Sequence, residues 1–390
     1  MSSSIIFSMP ALSVFFVLSF LYLKLRHKKE QLTLHYHPQS ALINKVLNTT
    51  QLKQLTFSPS LLLFNGNLQC IINPFKGNYL KRFMPFRYSR ELFVLKDGGT
   101  IGLDWLEGIP FEKQGKSIVA IVPGLSSDSN EVYVVNLVLE AQRNGFKPVV
   151  INYRGASNVG LTTGKLYCAG STDDVREPLR YIYEKYCQNE SGRDRPLYLV
   201  GNSMGANLTA NFLGKEGGKS FIRAAVCVQP PLKMWECGKN LEHRNMGFYN
   251  YVLGNNLKRK INLFAPKIHQ HYKDNHGIDV HQVLSQCRHL IDIDTHMTAK
   301  SFGYGNIENY YDKASCIHRI PHIKTPLFIM MARDDPIIGE NAIDHETCKE
   351  NPYILLGVTD QGGHIGYFES MFHTRQWHTQ PVFEFLKSFQ

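Results

Sequence analysis

LYLVGNSMGANLTANFLG, residues 197–214, decides the fold: a hydrophobic strand runs into Gly201-Asn202-Ser203-Met204-Gly205, and a helix of small and apolar residues follows. A serine framed by glycines between a strand and a helix is the nucleophile-elbow pattern G-x-S-x-G. The geometry demands those glycines. Ser203 has to sit on a tight, strained turn, and a Cβ at Gly201 or Gly205 would collide with the neighbouring strand or helix. The turn lifts the Ser203 hydroxyl above the sheet, and the helix behind it aims its amino-terminal dipole at the same spot.

Working outward, strand-length apolar runs recur along the chain. They are LFVL near Leu92, IGLDWL from Ile101, SIVAIV from Ser117, PVVINY from Pro148, AAVCV from Ala224, LFIMM from Leu327 and YILLGV from Tyr353. Near-continuous hydrophobicity marks parallel strands covered on both faces. Between them VYVVNLVLEAQRNGF has helical periodicity with Gly145 as its stop, and Asp173 to Tyr186 reads as the next helix. Alternating strands and helices predict an α/β, doubly wound, mostly parallel sheet. From 232 to 320 the strand pattern lapses into a stretch rich in His, Tyr, Asn and Lys, read as a helical cap or lid over the site.

An alcohol needs a base, and the base an orienting acid. In this fold the partners follow in the order Ser, Asp, His. Ala332-Arg333-Asp334-Asp335-Pro336 closes the strand LFIMM. His364 sits in the glycine-rich loop Thr359-Asp360-Gln361-Gly362-Gly363-His364 after the last strand, where functional groups of open α/β sheets gather. Asp335 is preferred to Asp334 because the acid stands directly before a turn residue such as Pro336. The oxyanion of an acyl transfer needs two amide donors. The Met204 amide is one, and the Leu125 amide, in the loop Val122-Pro123-Gly124-Leu125-Ser126, is chosen as the other.

The amino terminus carries a separate signal. Residues 2–23 hold no charge and include IIFSMPALSVFFVLSFLYL, and KLRHKK follows at once. About 20 apolar residues cross a bilayer core. The basic flank and the missing cleavage site favour an anchor over a signal peptide. The organisation expected is thus an anchor at 1–29, a polar linker at 30–60 and a catalytic domain at 61–390. The positive-inside tendency sets the domain on the cytosolic face of the endoplasmic reticulum or another endomembrane.

Composition narrows the classes. With 390 residues, 43% hydrophobic and 19% charged, the chain buries a large core. The net charge of +10 gathers in clusters at Lys24 to Lys29 and Lys81 to Arg90, which fits anionic lipid better than nucleic acid. Eight scattered cysteines show no C-x-x-C pair and read as reduced thiols. His269, His271, His276 and His281 cluster in the lid without a carboxylate or thiol set to complete a zinc site. His269/Asp274 and His289/Asp294 have an H-x-x-x-x-D spacing that sixteen histidines supply by chance. Nothing fixes an oligomeric state.

Taken with YSRELFVLKDGGTIGLDW from Tyr88, INYRGASNVGLTTGKLYCAGSTDDV from Ile151, IDTHMTAKSFGYGNIENYYDKAS from Ile293 and GGHIGYFE from Gly362, the chain resembles the AB hydrolase 4 family of membrane-associated esterases and lipases. The resemblance covers about residues 55 to 389. It implies an α/β-hydrolase fold, Ser203, Asp335 and His364 as a triad, acyl-ester substrates from short- and medium-chain esters to glycerolipids and phospholipids, and no cofactor. One departure stands out: the oxyanion loop begins Pro123-Gly124 where the family usually has His-Gly. Two other classes remain, an acyltransferase using the same triad and a non-catalytic tethered binding protein on the hydrolase scaffold.

Overall fold

The computed structural model describes residues 29–83, 86–108, 117–188 and 195–390. Among the described residues nine strands form one sheet: β1 (Thr33–Tyr36), β2 (Tyr88–Val94), β3 (Thr100–Leu106), β4 (Ser117–Val122), β5 (Phe146–Asn152), β6 (Leu197–Asn202), β7 (Ile222–Val228), β8 (Leu327–Ala332) and β9 (Ile354–Thr359). Their spatial order is β1-β9-β8-β7-β6-β4-β5-β3-β2. From β5 to β9 the neighbours are parallel. The two ends differ. β3 lies antiparallel on β5, β2 antiparallel on β3, and β1 antiparallel on β9. The expected mostly parallel sheet is therefore present, but the runs at Leu92 and Ile101 are antiparallel. The outermost strand, β2, exposes Leu92 and Val94 to one side, as an edge with a single covered face does.

The main helices are α1 (Ala41–Thr49), α2 (Gly66–Phe83), α3 (Val132–Arg143), α4 (Asp173–Ile182), α5 (Met204–Glu216), α6 (Met234–His243), α7 (Phe248–His276) and α8 (Thr379–Lys387). Alternation along each central strand splits the core in two. Ile118, Ala120 and Val122 pack with residues of α4 and α5, while Val119 and Ile121 pack with residues of α1, α3 and α8. Such double covering is what makes the central strands apolar throughout.

Residues 30–60 are not a linker. β1 extends the main sheet, Glu30–Gln31 pairs with Thr56–Phe57, and Ser40 caps α1 by accepting the Ile43 amide. Four residues, Thr33–Tyr36, are too few to show a period; pairing with β9 makes them a strand. Residues 234–322, where the sequence predicts a helical cap at 232–320, hold helices and no strand. The anchor read at 1–29 lies, but for Lys29, outside the described residues, among which no helix is long and apolar enough to cross a membrane.

Candidate active site

Ser203 joins β6 to α5 at φ 53° and ψ −121°, a conformation side-chain-bearing residues rarely adopt. Its amide donates to the Val228 carbonyl at 2.9 Å, pinning the bend to β7. The flanking glycines are obligatory in space. A Cβ on Gly205 would lie 2.3 Å from the Pro123 carbonyl oxygen, and one on Gly201 would lie 2.5 Å from that of Gly205.

The hydroxyl of Ser203 is 2.8 Å from His364 Nε2, and His364 Nδ1 is 2.8 Å from Asp335 Oδ2. Asp335 is fully buried, and its other oxygen accepts the amides of Ile337 and Ile338 at 2.8 and 3.0 Å. These bonds hold its carboxylate toward the imidazole. Asp334 points elsewhere, accepting the Gly363 amide at 2.9 Å. Burial, assisted by the neighbouring charge of Asp335, pushes its carboxyl up to about 6.

Tyrosines hold the loop after β4. The Gly124 amide donates to the Tyr133 hydroxyl at 2.9 Å, the Ser126 amide donates to Tyr167 at 3.3 Å, and the Tyr153 hydroxyl donates to the Pro123 carbonyl at 2.8 Å. The amide between them, that of Leu125, has no acceptor among the described residues, and neither does that of Met204. Leu125 and Met204 line one cavity with Ser203 and His364. Free donors beside a hydroxyl–imidazole pair can receive a developing oxyanion.

That cavity is about 320 Å³, near the small end of the roughly 300–1,000 Å³ usual for ligand pockets. The cap supplies Leu241, Leu253, Leu257 and Leu290, and α2 supplies Cys70 and Pro74. The wall is largely apolar, with one buried carboxyl, Asp294, which accepts the Tyr311 hydroxyl at 3.0 Å. Burial pushes it up to about 7, against the pull of Thr298 and Tyr311. Cys70 also touches the site, its sulfur accepting the His364 amide at 3.0 Å. Sequence reasoning missed α2 and Cys70, since a weakly periodic helix interrupted by Pro74 carries no catalytic pattern.

The remaining motifs do not assemble. His269 stacks on His281 at 5.0 Å and His271 meets His276 at 5.8 Å. No group of three His, Cys, Asp or Glu among the described residues is placed to hold a metal ion. His289 lies 3.4 Å from Asp292, and His269 is 3.9 Å from Asp279, so neither H-x-x-x-x-D pair is joined.

With this geometry in hand, comparison with known proteins is decisive. The serine aminopeptidase S33 model, Hydrolase_4, matches residues 113–353. The chain belongs to this family of the AB hydrolase superfamily. Among its relatives, monoacylglycerol lipase of Saccharomyces cerevisiae is 34% identical over 280 residues, 70% of this chain and 60% of the relative. Phospholipase ABHD3 of Homo sapiens is 28% identical over 334 residues, 84% of this chain and 78% of the relative. A Pyrococcus furiosus esterase structure superposes with TM-score 0.50 at 16% identity, covering 77% of this chain and 90% of that one; it speaks for the fold alone.

Proposed function

We propose that this AB hydrolase is a serine lipid esterase, cleaving short- to medium-chain esters, glycerolipids or phospholipids through an acyl-enzyme on Ser203. Its relatives named for lipase and phospholipase activity support ester hydrolysis as the class. The single observation that carries the mechanism is the relay of two 2.8 Å contacts from Ser203 through His364 to Asp335.

Each step follows from that relay. Ser203 attacks the ester carbonyl carbon as His364 Nε2 takes its proton, while Asp335 stabilises the imidazolium. The carbonyl oxygen becomes an oxyanion and accepts the Leu125 and Met204 amides; each such donor is worth about 2.7–4 kcal/mol of barrier. Collapse breaks the ester C–O bond, and His364 returns the proton to the leaving alcohol. Water, deprotonated by the same imidazole, then releases the acid and restores Ser203. The apolar cavity would take the acyl chain, and residues 2–23 would tether the domain to a membrane with the basic flank on the cytosolic side.

The test is direct. The full chain should hydrolyse p-nitrophenyl esters and be labelled by a fluorophosphonate probe, and Ser203→Ala should abolish both while unfolding at the same temperature. Labelling that persists in the Ala variant would assign the nucleophile elsewhere.

A further inference from the structure

Two helices that wall the cavity also carry large apolar side chains on faces turned away from it. On α2, Cys70 and Pro74 line the cavity, while Ile71, Phe75 and Tyr79 recur every fourth residue along an exposed stripe, Phe75 being 67% exposed. On α7, Tyr249 and Leu253 line the cavity, while Phe248 and Tyr251 are exposed.

Hydrogen bonds join these stripes into one surface. Lys76 donates to the carbonyls of Ser370 and Met371 at 2.9 and 3.0 Å, fastening to α2 the turn whose Phe372 is 92% exposed. Asn245 donates to Asn67 at 3.1 Å, fastening to α2 the turn before α7, where Met246 is 99% exposed. Scattered exposed hydrophobes are ordinary, but a group of them on elements bonded to one another beside a ligand cavity marks an interaction site.

A separate observation selects the occupant. The Glu30 carboxylate accepts the amides of Asp360 and Gln361 at 2.6 and 3.0 Å, in the loop that carries His364. The chain is thus pinned at the active-site end of the sheet just after residues 2–23, an uncharged apolar run whose length suits a bilayer. Tyr79 and Tyr251 on the stripes pair an apolar ring with a polar tip, as side chains at a membrane–water interface do.

We propose that the outer faces of α2 and of the start of α7, together with Phe372 and Met246, form a lipid-bilayer docking surface. The cavity wall then rests on the membrane, and the ester passes from acyl layer to Ser203 without crossing water. A second copy of the chain on this surface would instead seal the wall that substrate has to pass. The proposal rests on the lipid-esterase reading for its substrate, and its test separates the two.

The full chain is reconstituted in phosphatidylcholine vesicles whose acyl chains carry bromine, with F75W, F372W and, as control on β2 at the sheet's far end, L92W. Bromine should quench the added tryptophans at 75 and 372 at least about twofold more than that at 92, since quenching requires contact with the acyl region. Equal quenching at all three positions, or protection at 75 and 372 with self-association of the chain, overturns the docking surface. In a second arm, Phe75→Asp with Phe372→Asp should slow hydrolysis of vesicle-embedded ester at least about tenfold while leaving soluble p-nitrophenyl butyrate unaffected. Equal slowing of both substrates also overturns it. Failure of the unsubstituted chain to turn over p-nitrophenyl butyrate rejects the esterase reading itself.

Discussion

Asp334 and Asp335 are neighbours in the chain but hold opposite parts of one loop: Asp335 faces the His364 ring at 2.8 Å, and Asp334 accepts the Gly363 amide at 2.9 Å. One carboxylate orients the imidazole; the other fixes the backbone that presents it.

Their amides should separate these roles. Asp335→Asn is expected to lower kcat by roughly ten-thousand-fold, because the amide stabilises neither the right tautomer nor the imidazolium. Asp334→Asn keeps an acceptor for Gly363, so its loss should stay below about tenfold, the worth of one ordinary hydrogen bond. Steady-state kinetics on one p-nitrophenyl ester decides, and equal losses would refute the assignment.

Tyr133→Phe removes the acceptor of the Gly124 amide and loosens the loop that carries Leu125. A hydrogen bond of about 1 kcal/mol corresponds to roughly a fivefold fall in kcat. KM should hold, since that loop would meet the oxyanion rather than the acyl chain. A change in KM alone would mean that the loop serves binding.

Arg154 is buried against Asp174 at 2.6 Å and also reaches Asp97 at 3.1 Å. Arg154→Leu leaves the buried Asp174 without its cation and should cost about 3–5 kcal/mol in guanidinium unfolding. Adding Asp174→Leu removes the stranded charge and should recover part of that loss. A double variant less stable than the single one would contradict a desolvation origin.

Asp294 gives a pH signature. Burial raises its folded-state pKa to about 7, so the fold favours the protonated form. Relative to Asp294→Asn, the native chain carries no penalty below about pH 4, where folded and unfolded carboxyls are both protonated. As pH rises the unfolded chain ionises first, and the native chain loses up to about 1.4 kcal/mol per pH unit until about 7. The stability gap in favour of the Asn variant should therefore widen between those limits and stay constant above them. A gap that does not change with pH would show that the carboxyl ionises normally.

The site was legible where the chemistry forces a local pattern. Gly201 and Gly205 are written into the sequence because backbone oxygens leave no room for a Cβ, and His364 stands out because its loop closes the last parallel strand. Pro336 points to Asp335 rather than Asp334, and it is Asp335 that meets the His364 ring. What the sequence hid depends on distant partners. α2 contains Pro74 and has weak periodicity; Gln69 joins it to Phe368 by donating to its carbonyl at 3.1 Å and accepting its amide at 2.8 Å. β1 exists because β9, more than three hundred residues later, offers it an edge.

That pairing has a consequence for biogenesis. Thr33–Tyr36 is made more than three hundred residues before Ile354–Thr359 and finds its partner only when that strand has been made. Until then Thr33–Tyr36 stays unpaired, a state prone to joining the wrong chain. A chain cut before Ile354 would therefore lose His364 and also leave Thr33–Tyr36 with no edge to dock on.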